Sequence, residues 1–152
     1  MSCLFSFGCY NFTMQTFLPY DDFIESAKVL DWRRLGKQRV EVKQLLNALE
    51  GKSKGWVNHP ATKMWRGYET ALKAYGDIII VEWVSRGYKN NMQYFLDPNE
   101  TQMWEYPPWF GNEEFHRSHR SNLTRKDPTW YSQFWTEPDD LPYIWPTNEE
   151  TK

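Results

Sequence analysis

Glu41 is a lone carboxylate among cations in Lys37-Gln38-Arg39-Val40-Glu41-Val42-Lys43. Residues three and four apart on a helix share a face, so Lys37, Gln38 and Glu41 are neighbours if this segment is helical. Two readings are open. One is an i,i+4 ion pair between Lys37 and Glu41. The other is a general acid/base held in a basic cleft, where a carboxylate stabilises a developing sugar cation or moves the protons needed to expel a base.

A second group is His116-Arg117-Ser118-His119-Arg120-Ser121-Asn122. The two histidines are three apart, a spacing that suits a metal pair, but no cysteine or carboxylate cluster at ligand spacing accompanies them. A phosphate clamp fits the composition better, because Arg, Ser and Asn all donate to phosphate oxygens. A solvated helical face is the plain alternative. The third group is Asn58-His59-Pro60 with Trp65-Arg66, where His59 either contacts a ligand or caps the helix that follows. No Gly-rich phosphate loop, Gly-x-Ser-x-Gly elbow or Cys-x-x-Cys pair is present, so P-loop nucleotide hydrolysis and serine-hydrolase chemistry lack their usual support.

The elements that must position these groups read as helices. Asp21 and Asp22 precede an apolar side made by Phe23, Ala27 and Leu30, and either can cap it. Residues 33–49 read as a longer helix on which Leu35, Val42, Leu45, Leu46 and Leu49 recur near helical spacing, with basic residues opposite. Gly51 to Pro60 is loop. Residues 61–86 read as a third helical stretch, with a bend at Gly76 and a cap at Gly87. Residues 88–112 read as a long loop of packed aromatics. Residues 113–125 form a short basic helix stopped by Asp127-Pro128. The tail from Glu137 reads as extended or disordered. The expected architecture is mainly α, a compact single-domain helical bundle with long aromatic-rich loops. Its expected divisions are an extension over 1–13, a domain over 14–135, and an acidic, proline-containing tail over 136–152.

At 152 residues the chain suits one domain and can bury a sizeable core without disulfides. Cys3 and Cys9 make no disulfide framework. Mean hydropathy is −0.79 and no apolar run reaches the ~20 residues of a membrane span, so a soluble intracellular protein is expected. A net charge of −2 argues against a uniformly basic nucleic-acid binder. The basic residues are local, however, gathered at 28–43 and 116–126, and two such segments can still form a phosphate-binding face. Nine Trp, nine Tyr and nine Phe exceed what a small core usually needs, and surplus rings suit stacking on bases.

From Met14 to Trp135 the chain resembles the pyrimidine-dimer DNA glycosylase family, also called endonuclease V-like. It is most similar to an uncharacterised bacterial and phage branch. The resemblance rests on Met14-Gln15-Thr16-Phe17-Leu18-Pro19-Tyr20, on Leu30-Asp31, and on Arg34-Leu35-Gly36-Lys37-Gln38-Arg39-Val40-Glu41. It continues through Gly55-Trp56, Asn58-His59-Pro60-Ala61, Met64-Trp65, Gly67-Tyr68, Arg86-Gly87-Tyr88, His116-Arg117-Ser118-His119-Arg120-Ser121-Asn122-Leu123 and Pro128-Thr129-Trp130-Tyr131.

The resemblance implies a mostly helical fold and base excision from double-stranded DNA carrying a damaged or modified pyrimidine. In the family an N-terminal α-amine attacks the sugar, a helix glutamate assists, and β-elimination nicks the strand. The amine suits this work because its pKa lies at about 7.7–8.0. The glutamate carries over to Glu41 and the amine to the nitrogen of Gln15. The family's neighbouring arginine carries over to Arg39, with Val40 intervening, a rotation of roughly 100° on a helix. Residues 1–13 carry no charge and are expected to be a mobile upstream extension. With them attached, Lys37 or a water molecule would have to replace the amine. The expected DNA contacts are Arg33, Arg34, Arg39, His59, Trp65, Arg66, His116, Arg117, His119, Arg120, Lys126, Trp130 and Tyr131. No metal or organic cofactor, no membrane and a monomer are expected, in a bacterial cytoplasm or an infected host cell. Two other functions remain open: a non-catalytic nucleic-acid-binding module, and an enzyme acting on free modified nucleosides or nucleotides.

Overall fold

A computed structural model describes residues 14–97 and 103–146; the expectation for residues 1–13 lies outside them. The described residues form six helices and no strand: α1 (Phe23–Val29), α2 (Trp32–Leu49), α3 (Pro60–Trp65), α4 (Glu69–Ser85), α5 (Glu113–Lys126) and α6 (Pro128–Tyr131). Helix starts follow side-chain chemistry. Asp22, Asp31, Asn112 and Asp127 each accept from an amide in the first turn of the helix they precede. The carboxylates add favourable charge at the positive end of the helix dipole.

The helix expected over 61–86 is two helices. Gly67, at φ +90°, breaks the chain between α3 and α4 in a conformation that glycine tolerates best. Gly76 marks no bend, because α4 runs straight through it. The glycine is there for contact: a Cβ would meet Val42 Cγ1 and the Phe95 ring at 2.7 Å. α2 and α4 therefore pack backbone to side chain at this point. Gly87, at φ +92°, ends α4 as the sequence indicated.

Two segments without regular structure complete the core. Residues 14–20 run irregularly through it, with Met14, Phe17 and Leu18 buried. Residues 137–146 run along α5, where Tyr143 and Trp145 pack on the core. Neither segment has a β partner, so its backbone groups need side-chain partners. α5 supplies many of them. Its polar residues His116, Ser118, His119, Arg120, Ser121 and Asn122 are buried, so the solvated basic face the sequence suggested is an interior surface. Ser121 Oγ accepts from Leu141 N, and Asn122 donates to the Leu141 carbonyl. No helix among the described residues is long and apolar enough to cross a membrane.

Candidate active site

Glu41 lies on the inner face of α2, 4% exposed, at a cleft of about 930 Å³. One turn back on the same face, Gln38 Nε2 donates to Glu41 Oε1 at 2.9 Å and to the Gln15 carbonyl at 2.7 Å. Gln38 Oε1 accepts from Phe17 N at 3.0 Å and from the Tyr75 hydroxyl at 2.7 Å. The backbone of Gln15 also hydrogen-bonds the Glu41 carboxylate. Lys37 Nζ stands 3.6 Å from Glu41 Oε2, with its own side chain 62% exposed. Burial raises the Glu41 pKa to about 7, outweighing the opposing pull of Lys37, the Gln15 backbone and Lys126. At neutral pH the site therefore holds a comparable mixture of carboxylic acid and carboxylate, as a proton-transferring group needs.

The cleft wall is cationic. Lys28, Arg33, Arg34, Lys37, Arg86 and Lys126 line it, against Asp31, Glu41 and Asp127. Asp31 is engaged by Arg34 and Tyr131, and Asp127 caps α6. A positive cleft thus exists on a chain whose net charge is −2. Aromatic rings stand at its edges. Trp32 is 52% exposed beside Tyr88, which stacks on Trp83 at 4.3 Å. Trp130 is held at its edge by a 2.7 Å bond from Nε1 to the Val29 carbonyl and stands beside Phe134. Open ring faces next to cations suit both phosphates and unstacked bases.

The 14–19 segment reaches Glu41 because four helices hold it. Trp65 Nε1 of α3 donates to Thr16 Oγ1 at 3.0 Å, and the Tyr75 hydroxyl of α4 lies 2.7 Å from the Phe17 carbonyl, its single proton shared between that oxygen and Gln38 Oε1. Gln38 of α2 holds residues 15 and 17 as described. From α5, His119 Nδ1 accepts from Leu18 N at 3.0 Å, His116 Nδ1 donates to the Leu18 carbonyl at 2.8 Å, and Arg120 donates to the Pro19 carbonyl at 2.8 Å. Because an amide N–H can only donate, Nδ1 of His119 carries a lone pair and its proton is on Nε2. His116 Nε2 accepts from Gly111 N at 2.9 Å, which fixes the opposite tautomer. Burial pushes the His119 pKa down to about 3, and lowers that of His116, so both are neutral.

Of the sequence candidates, the cleft gathers Arg33, Arg34, Lys37, Glu41, Lys126 and Trp130. Gln15 joins them through its backbone. The others lie elsewhere. Arg39 leans on Trp83 with its guanidinium carbon 4.5 Å from the ring and bonds Asn90, because it is one helical step away from the Glu41 face. His59 caps α3, accepting from Ala61 N, and Arg66 ends the same helix. Trp65 and Tyr131 are fully buried core rings with no face open to a base. The phosphate clamp expected of residues 116–122 is corrected: His116, His119 and Arg120 hold the 14–19 segment, and Arg120 also binds Glu113 and Glu137. The lone pairs a metal would need on the histidines face backbone amides. Arg117 is partly exposed beside Glu114, outside the cleft lining.

Sequence reasoning passed over Trp32, Tyr88 and Phe134 as wall residues and Tyr75 as a partner of Gln38. A signal was present for one of them: Trp32 follows the Asp31 cap directly, so a large ring in the first turn of a basic helix starts at the mouth of its own polar face. The other three come from distant segments, and spacing carries no trace of them.

A family model described as pyrimidine dimer DNA glycosylase matches residues 14–96, more than half of the chain. No curated protein and no solved structure matches the chain. The matched span contains Gln15, Lys37, Gln38 and Glu41, whereas α5 and α6 lie beyond it. The chain belongs to the pyrimidine dimer DNA glycosylase family.

Proposed function

We propose that this protein is a DNA glycosylase that excises damaged or modified pyrimidines from double-stranded DNA, with Glu41 as the group that moves protons at the sugar and the departing base. The observation that carries the reading is the buried Glu41 carboxyl, at a pKa of about 7, beside a cationic cleft edged by open aromatic rings. The cations engage phosphates, and Trp32 or Trp130 stacks on a base drawn out of the duplex. In its acid form Glu41 protonates the pyrimidine as the glycosidic bond breaks. In its base form it offsets positive charge on the sugar. Cleavage of the strand after base loss, an AP-lyase step, is part of the same proposal and requires a nitrogen nucleophile. An amide nitrogen cannot serve, so Gln15 qualifies only in a chain whose amine is at that residue.

The test is base release from UV-irradiated and base-modified duplexes, with an undamaged duplex as the control. Release by the parent and none by Glu41→Gln, with DNA affinity and fold retained, supports the reading. Full activity in Glu41→Gln returns Glu41 to a plain ion pair with Lys37. If the parent binds the duplexes but releases no base from any of them, the protein is a binding module.

A further inference from the structure

Gln38 is a neutral amide with no exposed surface, set one helical turn before Glu41. Its orientation follows from its partners. The Phe17 amide can only donate, so the atom 3.0 Å from it is the oxygen Oε1. The Gln15 carbonyl can only accept, so the atom 2.7 Å from it is Nε2. The second Nε2 hydrogen then serves Glu41 Oε1, 2.9 Å away. With the Tyr75 hydroxyl 2.7 Å from Oε1, every hydrogen-bonding site of the amide is filled. The side chain cannot turn over without breaking bonds at both ends.

This fixed donor treats the two oxygens of Glu41 unequally. An N–H needs a lone pair, and in a carboxylic acid the carbonyl oxygen is the better acceptor. Donation to Oε1 makes it the carbonyl oxygen of the acid form and leaves the hydroxyl at Oε2. Oε2 is the oxygen that faces Lys37, on the cleft side. Lys37 opposes a proton there, but its Nζ is 3.6 Å away on a side chain 62% exposed, so water screens it, whereas the Gln38 bond is short and dry. The other groups that act on the carboxyl are the Gln15 backbone, Lys126 of α5, Tyr75 of α4 and Tyr143 of the 137–146 segment. Burial keeps both tyrosines neutral.

We propose that Gln38 is a positioning residue of the excision reaction: it fixes the rotation of the Glu41 carboxyl and directs its acid proton to Oε2, on the cleft side. This rests on the glycosylase reading above and adds the atom that delivers the proton. In that step the Oε2–H bond breaks and the proton joins the pyrimidine, which leaves with the electron pair of the glycosidic bond. The sugar is left cationic opposite a carboxylate whose Oε1 still receives the Gln38 N–H. The nucleophile that then bonds the sugar returns one proton to Glu41. Gln38 itself gains and loses no proton.

The experiment compares the full chain with Gln38→Met, Gln38→Glu and Thr16→Val. Gln38→Met keeps an unbranched chain of similar length and removes the donor. Thr16→Val removes the acceptor of the Trp65 indole and loosens the 14–19 segment without touching Gln38 or Glu41. Two measurements are made: titration of the Glu41 carboxyl carbon by NMR without DNA, assigned by its loss from Glu41→Gln, and the pH profiles of kcat and KM for base release from a UV-irradiated duplex. Losing one donor to a charged group should raise the carboxyl midpoint by about one to two pH units in Gln38→Met. Its kcat should fall roughly 10- to 100-fold while KM holds. Thr16→Val should lower the unfolding midpoint and leave the carboxyl titration in place. In Gln38→Glu two carboxyls share one proton, so protons should leave the pair in two separated steps. A midpoint unmoved in Gln38→Met, or moved equally by Thr16→Val, overturns the assignment. If Gln38→Met does not fold, Gln38→Glu decides, and a single step at the parent's midpoint with full kcat overturns the assignment. A parent that releases no base overturns the glycosylase reading, while the carboxyl titration still decides whether Gln38 poises Glu41.

Discussion

Replacing Glu41 by Gln should make the protein more stable as pH rises, relative to the parent, while removing its activity. The folded-state pKa of about 7 lies above the ordinary value of 4.5. Below about 4.5 the group is protonated whether the chain is folded or not. Between the two values the folded state holds a proton that the unfolded state has released, so stability falls as pH rises. Above about 7 both states are ionised and the full cost of a buried carboxylate has appeared. A difference of roughly 2.5 units at about 1.36 kcal/mol each amounts to about 3 kcal/mol. The side-chain amide of the Glu41→Gln variant does not titrate, so this slope is absent from it.

The assay is urea unfolding of both proteins at pH 5, 6, 7 and 8. The stability of the variant minus that of the parent should grow by about 2–3 kcal/mol across this range. With a slope of about 1–3 kcal/mol per molar for a small protein, the two midpoints should separate by roughly 1 M more at pH 8 than at pH 5. Only the growth matters. Gln offers one acceptor oxygen where Glu offers two, and the loss of a bond to Gln38, Gln15 or Lys37 adds an offset that does not vary with pH. His119 and the other titrating groups are common to both proteins and cancel. A difference that stays constant, or shrinks by the few tenths of a kcal/mol expected for an exposed ion pair, would refute the reasoning, because the Lys37 pair would then outweigh burial.

Three further outcomes are expected. Lys37→Met removes a charge that lowers the Glu41 pKa, so any residual base release should persist to higher pH, and a pH profile of kcat/KM measures the displacement. Gly76→Ala drives a methyl group into Val42 and Phe95, and should cost ~1–3 kcal/mol by thermal or urea unfolding, through separation of α2 from α4. Removing Lys28 and Arg33 together should reduce the slope of log K for DNA against log salt by up to about two, whereas Arg117→Ala should leave it unchanged, since Arg117 lies outside the cleft lining.

The helical architecture was legible because its signals are local. Asp22 was readable as a cap and Leu35, Val42 and Leu45 mark the buried side of α2 by spacing, while the caps Asp31, Asn112 and Asp127 carry the same local signal and were not read as caps. Glu41 was legible as a candidate because a single acid among cations is unusual on a helix face. Its burial was not, since spacing places Lys37 beside it and says nothing of what covers the pair from the other side. α5 misled for a related reason. A run rich in His, Arg, Ser and Asn fits a wet helix, and here it is dry. What reverses the expectation is the bare backbone of residues 14–20 and 137–146, segments remote in sequence that need donors and acceptors, and no local pattern records that need.

The same fact explains how the site is built. An extended segment with no sheet partner can be buried only if side chains satisfy its amides and carbonyls. Gln38, Tyr75, His116, His119 and Arg120 do so over residues 15–19, and Trp65 holds the Thr16 hydroxyl. Each bond fixes a position along the segment, and their combined effect is to set the Gln15 backbone against the Glu41 carboxyl. Gln38 contributes at both ends, since its amide bonds Glu41 and residues 15 and 17 together. The carboxyl is thereby dry enough to be protonated near neutral pH and still held by donors when it ionises. A buried, half-ionised acid destabilises the fold, even though its carboxyl serves as acceptor for Gln38 and the Gln15 backbone. Its place beside the cationic cleft, with Lys37 largely exposed, is the geometry on which the proposed proton-transfer role rests.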